Sequence, residues 1–139
     1  MVYSRGKIAI IESNGNVTHF PAANNAQRSS KGAWEAGSYE FAYWVPHSGD
    51  GPDSSYGSNG NFVFEYEGRS GMGIHSGREN RCDLAGRCGV NYATNGCIRT
   101  TDEATELLKH LHENGDPLTK LSRLPDVGMP PNDPDDHIF

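Results

Sequence analysis

Cys97 is the residue of this 139-residue chain best suited to nucleophilic chemistry. It follows Gly96, which lets the backbone turn tightly and bring amide N–H groups near the sulfur. A nucleophilic cysteine needs a lowered thiol pKa, a base within reach and donors for an oxyanion. We expect the Gly96 and Cys97 amides to be the donors. His75, which closes a predicted strand, is expected to be the general base or the imidazolium partner of a thiolate.

Three further residues are candidates for the same site. Ser76, or the backbone of Gly77, follows His75 directly and could orient its imidazole, because a base needs a third group to fix its tautomer. Arg99 could hold a substrate carboxylate, with an ordinary surface arginine near a helix start as the alternative. Tyr56 lies in a long loop and could line a groove, with simple packing as its alternative.

The chain has three cysteines, so at least one thiol has no partner within it. Cys82 and Cys88 could close a disulfide loop through Gly86, which would imply an oxidising compartment. Alternatively, both could bind Zn²⁺ together with His75 and Cys97, or all three could be reduced thiols. Structural zinc sites usually hold a ligand pair roughly two to four residues apart, and no such pair occurs here, so we expect no metal and no cofactor.

The hydropathy pattern predicts a mainly β fold with one main α-helix, arranged as a compact mixed β-sheet or β-sandwich. Strands are predicted at residues 7–11 and 16–20, joined as a hairpin, and at 39–45, 61–66, 72–75 and 118–124, where Leu121 and Leu124 are apolar markers. The helix is predicted to begin with Thr100 as N-cap and Glu103 in a capping box, and to end at residues 114–115. A single domain is expected over residues 1–124, followed by a flexible tail rich in proline and aspartate at 125–139.

Composition excludes two classes of partner. The net charge of −6 and the mixed distribution of charges argue against nucleic acid, which requires clustered lysine and arginine. No apolar stretch approaches the roughly 20 residues of a membrane span, so no membrane insertion is expected. The first residues also lack the pattern of a secretory signal.

The stretches at residues 73–77 and 94–99 resemble the catalytic domain of the L,D-transpeptidases, also called the YkuD domain. The family pattern is a histidine, a spacer, then Ser/Thr-His-Gly-Cys, an apolar residue and Asn or Arg. The matching residues here are His75, Thr94, Gly96, Cys97, Ile98 and Arg99. Asn95 stands where the family usually has a second histidine, and it cannot exchange a proton. Thr94, Asn95 and Arg99 are expected to contact substrate.

This resemblance implies chemistry on peptidoglycan stem peptides in the cell envelope or periplasm of a bacterium. Cys97 would attack the third stem residue, release D-Ala and form a thioester. An amine would then resolve the thioester as a 3–3 crosslink or by D-amino acid exchange, or water would resolve it as in an L,D-carboxypeptidase. A short domain of this kind is also similar to toxins that attack rival cell walls, which would imply a dedicated secretion route and a cognate immunity protein. The alternatives from other classes are the zinc-binding domain and a non-catalytic wall-binding module.

Overall fold

The computed structural model describes residues 1–26, 32–47, 49–66 and 69–125, without the side chains of residues 66 and 69–71. Within these residues the chain forms eight strands, one α-helix and one 3-10 turn. The strands are β1 Val2–Ser4, β2 Lys7–Ile11, β3 Val17–Ala23, β4 Gly37–Val45, β5 Asn61–Tyr66, β6 Arg69–His75, β7 Ile98–Thr100 and β8 Lys120–Arg123. The helix α1 spans Asp102–Glu113, and the 3-10 turn spans Gly89–Asn91.

The strands form a closed barrel in the order β1-β2-β3-β7-β6-β5-β4-β8. Neighbouring strands are antiparallel except for two pairs, β6 with β7 and β1 with β8. The predicted β-sandwich is therefore wrong, although the chain is mostly β with one helix. The physical reason is the pairing of β8 with β1, which joins the two edges of the sheet and leaves no second sheet to pack against.

The barrel depends on strands that alternate between buried and exposed positions. In β2 the side chains of Ile8 and Ile10 are buried, while Lys7 and Ile11 are exposed. Tyr39 of β4 and Phe62 of β5 are fully buried in the same core. This two-residue period is the pattern expected of strands with one face on a core, and in the sequence it made β3 and β5 recognisable.

Two short strands and one helix boundary were not predicted. β1 and β7 are each three residues long, too short for a two-residue period to stand out. The helix N-cap is Thr101, whose side chain accepts a hydrogen bond from the Ala104 amide, so the predicted N-cap is wrong by one residue. Thr100 instead ends β7, and its hydroxyl donates to the Pro21 carbonyl at 2.7 Å.

The helix packs on the barrel through one face. Ala104, Leu108 and Leu111 are buried in the same hydrophobic cluster as the barrel residues. His112 makes edge contacts with the rings of Phe41 and Trp44, at centroid distances of 5.5 and 5.6 Å. Among the described residues, no helix is long and apolar enough to cross a membrane. The predicted tail falls almost wholly at residues 126–139, outside the described residues.

Barrel closure can be tested with two leucines near the last strand. Leu121 in β8 is fully buried, whereas Leu124, which follows it, is 43% exposed. Leu121→Ala should lower the free energy of unfolding by about 2–5 kcal/mol, because it leaves a cavity beside the closing strand. Leu124→Ala is the matched control and should change it by about 0.5 kcal/mol or less. Urea denaturation followed by tryptophan fluorescence measures both free energies of unfolding. Equal decreases for the two variants would contradict the placement of Leu121 in the core and Leu124 at the surface.

Candidate functional site

The parallel pairing of β6 with β7 brings the predicted nucleophile and base to one face of the sheet. Ile74 pairs with Ile98, and His75 pairs with Arg99. Both isoleucines are fully buried in the core. Because side chains alternate along a strand, the neighbours of these isoleucines project to the opposite face. His75, Cys97 and Arg99 therefore share that face.

His75 is held as a neutral imidazole with a defined tautomer. Its side chain is 3% exposed, and burial lowers its pKa to about 3. Its Nδ1 lies 2.7 Å from the Ser76 carbonyl oxygen. A carbonyl can only accept a hydrogen bond, so Nδ1 carries the proton and Nε2 is left as the basic nitrogen. The predicted orienting role of Ser76 thus falls to its backbone carbonyl and not to its hydroxyl.

Cys97 is half-buried and is the free thiol of the chain. Burial raises the pKa of this thiol above its ordinary value, and the Gly73 backbone and the Arg99 charge offset only part of the rise. A neutral thiol and a neutral imidazole that line the same cleft are therefore the resting arrangement. Such a pair needs the imidazole to remove the thiol proton as the sulfur attacks, because no preformed thiolate is present.

The backbone around Cys97 is fixed by hydrogen bonds from two side chains. The Thr94 hydroxyl donates to the Cys97 carbonyl at 2.7 Å and accepts from the Gly96 amide at 3.1 Å. The side-chain amide of Asn24 donates to the Gly96 and Cys97 carbonyls, at 2.9 and 3.2 Å. The Gly96 amide would have to break its bond to Thr94 to serve an oxyanion. Of the two amides predicted to stabilise an oxyanion, the Cys97 amide is therefore the one not engaged by Thr94.

Arg99 is a buried cation held by backbone carbonyls. Its side chain is 3% exposed, and it donates to the carbonyls of Tyr92, Ser55, Ser76 and Ala93 at 3.0–3.5 Å. Burial, with a smaller contribution from the Arg78 charge, lowers its pKa to about 10, so it stays charged at neutral pH. Arg99 therefore contributes positive potential and cross-links the site, while most of its donors are already engaged.

A hydrogen-bonded network behind the histidine ties three segments together. The carboxylate of Asp102, in the first turn of α1, accepts from the hydroxyls of Ser76 and Ser58, both at 2.5 Å. Burial alone would raise the pKa of Asp102, but these hydrogen bonds more than offset it and hold the pKa below its ordinary value. Gly77 is required beside this network: it has φ +106°, and an added Cβ would strike the Ser54 carbonyl.

An aromatic stack covers the histidine on its other side. The Tyr56 ring lies 4.7 Å from the His75 ring, and the His47 ring stacks on Tyr56 at 4.5 Å. The Nδ1 of His47 lies 3.4 Å from a carboxylate oxygen of Asp50. Tyr56 thus packs directly against the imidazole of His75 and also lines the cleft, so both alternatives weighed for it hold.

These residues surround one cleft of about 260 Å³. It is lined by Ser55, Tyr56, His75, Arg78, Tyr92, Ala93, Thr94, Asn95, Cys97 and Arg99. Among the described residues, its lining includes two arginines and no aspartate or glutamate. Asn95 is exposed at the cleft, where it can meet a ligand. The cleft therefore combines a thiol, an oriented base and a positive potential.

The other two cysteines form a disulfide. Cys82 and Cys88 are bonded to each other in the segment that follows His75. This takes two of the four ligands from the zinc alternative, because a disulfide sulfur is not a thiolate. No cluster of three or more metal-ligating side chains occurs within the described residues.

Four residues that build the site were not singled out from the sequence. Asn24 and Asn25 follow β3, and both are nearly fully buried although they are polar. The Asn25 carbonyl accepts from the Thr94 amide at 2.9 Å, which anchors the chain before Cys97. Arg78 and Asp102 were also missed. Only the pairing of distant strands brings these residues together, so no local pattern could have identified them.

No protein-family model, curated protein or solved structure matches this chain.

The protonation state of Cys97 can be measured by alkylation. Because the other cysteines are joined, iodoacetamide reports on this thiol alone in the non-reduced protein. We expect the rate to keep rising with pH through the ordinary pKa of a cysteine, since burial disfavours the thiolate. The protein unfolded in urea without reductant is the control and should reach its plateau at lower pH. A plateau in the folded protein at pH 5–7 would contradict the neutral pair.

The buried imidazole should also make stability depend on pH. Above pH 6.5 His75 is neutral in both states. Below it the unfolded chain gains a proton that the folded protein refuses, so unfolding becomes easier as pH falls towards the folded pKa of about 3. Between pH 6.5 and 4.5 wild type should lose about 2 kcal/mol more than His75→Gln, as measured by urea denaturation. Parallel pH profiles for the two proteins would show that His75 titrates normally.

Proposed function

We propose that this protein is a cysteine acyltransferase of the L,D-transpeptidase type, acting on peptidoglycan stem peptides. The observation that carries the proposal is the shared cleft, in which the free thiol of Cys97 lies with an oriented neutral His75 and a buried Arg99. The resemblance of residues 73–77 and 94–99 to that family supplies the substrate class. The barrel fold does not by itself indicate an activity, because function depends on the site and not on the fold.

In the proposed reaction, the Cys97 sulfur attacks the carbonyl carbon of the third stem residue, a diamino acid. His75 Nε2 takes the thiol proton as the carbon–sulfur bond forms, and later gives it to the departing amine of D-Ala. The Cys97 amide would stabilise the negative charge on the carbonyl oxygen. A thioester results, and free D-Ala leaves.

The second half of the reaction regenerates the free Cys97 thiol. An amine, or a water molecule, attacks the thioester after losing a proton to His75, and the thiolate leaves and is protonated. An amine from another stem gives a 3–3 crosslink, a D-amino acid gives exchange, and water gives a tripeptide. Asn95, which cannot transfer protons, would contribute hydrogen bonds to the substrate and nothing to acid–base chemistry.

The cell envelope is the proposed location of this activity, since its substrate is there. The disulfide between Cys82 and Cys88 is consistent with an oxidising compartment such as the periplasm. If the protein acts as a toxin on rival cell walls, its partner would be a cognate immunity protein that blocks this cleft.

The proposal is tested by incubating the purified, disulfide-intact protein with disaccharide-tetrapeptide and analysing products by mass spectrometry. Wild type should release D-Ala and yield tripeptide or 3–3 linked dimer. Cys97→Ala and His75→Gln should each lower the rate by at least about 10³-fold, because they remove the nucleophile and its base. His19→Gln is the matched control, since His19 is exposed on β3.

Two outcomes would overturn the proposal: undiminished turnover by Cys97→Ala, or no release of D-Ala by wild type. Stem-peptide binding without turnover in wild type would instead support the non-catalytic wall-binding module.

A further inference from the structure

Arg78 lies in the wall of the cleft in a conformation that costs free energy. It has φ +55°, and it alone of the non-glycine residues described has a positive φ. A side chain in this left-handed region is disfavoured and persists only where its surroundings enforce it. Strain of this kind concentrates at functional sites, so the position of Arg78 requires an explanation.

The guanidinium of Arg78 is held in place but not neutralised by the described residues. It lies 4.9 Å from the centre of the Tyr92 ring, and its Nη2 donates to the Ser55 hydroxyl at 2.9 Å. Its Nε is buried and has no hydrogen-bond partner among the described residues. The ring and the hydroxyl orient the cation, yet neither supplies a negative charge.

Arg99 differs from Arg78 in how its donors are used. It gives hydrogen bonds to four backbone carbonyls and is almost fully buried. Arg78 is only partly buried, and its side chain gives a single described hydrogen bond, to the Ser55 hydroxyl. The two cations are close enough for the charge of Arg78 to help lower the pKa of Arg99. A second positive charge so near the first is unfavourable unless an anion enters between or beside them.

We propose that Arg78, rather than Arg99, binds a free carboxylate of the acyl donor close to the carbonyl that Cys97 attacks. This rests on the proposed function and adds the substrate class: donors that carry a carboxylate next to the scissile bond. A planar guanidinium can bind a carboxylate through two parallel hydrogen bonds, and the Tyr92 ring and the Ser55 hydroxyl hold this one in the cleft wall. The carboxylate belongs to the terminal residue that leaves or to the side chain of the diamino acid.

A pair of alkylating reagents tests the anion site without requiring turnover. Iodoacetate and iodoacetamide are similar in size and react by the same displacement of iodide by the Cys97 sulfur, but only iodoacetate carries a carboxylate. The ratio of their rates is taken relative to that of the urea-unfolded protein. At low salt wild type should favour iodoacetate, and Arg78→Gln should lower the ratio by about 3–10-fold. A substitution that changes the reactivity of the Cys97 thiol itself alters both rates by the same factor and leaves their ratio unchanged.

The controls separate the cleft from the net charge. Arg81→Gln removes the same charge from an exposed position that does not line the cleft, and it should leave the ratio unchanged. Arg78→Lys should restore part of the preference, because it keeps the charge without the planar fork. Equal ratios in wild type and Arg78→Gln, or an equal fall in Arg81→Gln, would overturn the proposal.

Amidated donors identify which carboxylate is bound. Tetrapeptide donors are compared with analogues bearing a carboxamide at the terminal residue or on the side chain of the diamino acid. Wild type should show a roughly 10–100-fold lower kcat/KM for one analogue, mainly through KM, and Arg78→Gln should abolish that difference. If wild type processes no donor, the proposed function fails while the alkylation ratio still decides the anion site. If Arg78→Gln slows all donors equally, Arg78 does not bind the carboxylate.

Discussion

The parallel pairing of β6 with β7 is the constraint on which the site depends. The two strands meet over only two described residue pairs, yet this register turns Ile74 and Ile98 into the core and leaves His75 and Cys97 on the opposite face. A shift of one residue in either strand would turn the isoleucine of that strand out of the core and its neighbouring site residue into the core. Burial of the two isoleucines in the core therefore fixes the positions of His75 and Cys97, although neither isoleucine lines the cleft.

Short strands cannot hold such a register alone, and the surrounding loops supply the remaining contacts. Thr94 and Asn24 fix the backbone at Cys97, while Asp102 joins α1 to the residue after His75. Two of these contacts, Asn24 with Cys97 and Ser76 with Asp102, are partly buried hydrogen bonds between segments far apart in the chain. Removing one partner leaves a partly buried polar group unsatisfied, so these bonds oppose distortion of the site.

The electrostatics of the cleft come from burial and from an imbalance of charge. Burial keeps both His75 and Cys97 neutral, so any attack by the sulfur would require its proton to move to the imidazole at the same time. Arg99 and Arg78 supply positive charge that the described lining does not neutralise. The low local dielectric strengthens that potential for any anion that enters. The cleft thus has a preference for ligand charge before any specific contact is made.

The sequence by itself determined the local features. Two-residue periodicity identified β3 and β5, and short apolar or aromatic-rich runs identified β2 and β4. Capping and apolar spacing identified α1 to within one residue, and residue types singled out His75 and Cys97. These signals are short-range, because they depend on backbone geometry and on one face of each element. Tertiary structure decided the rest: closure of the barrel, the register of β6 with β7, and the convergence of Asn24, Arg78 and Asp102 on the site. Pairing between distant strands depends on the whole core, and hydropathy along one segment carries no information about which partner it will meet.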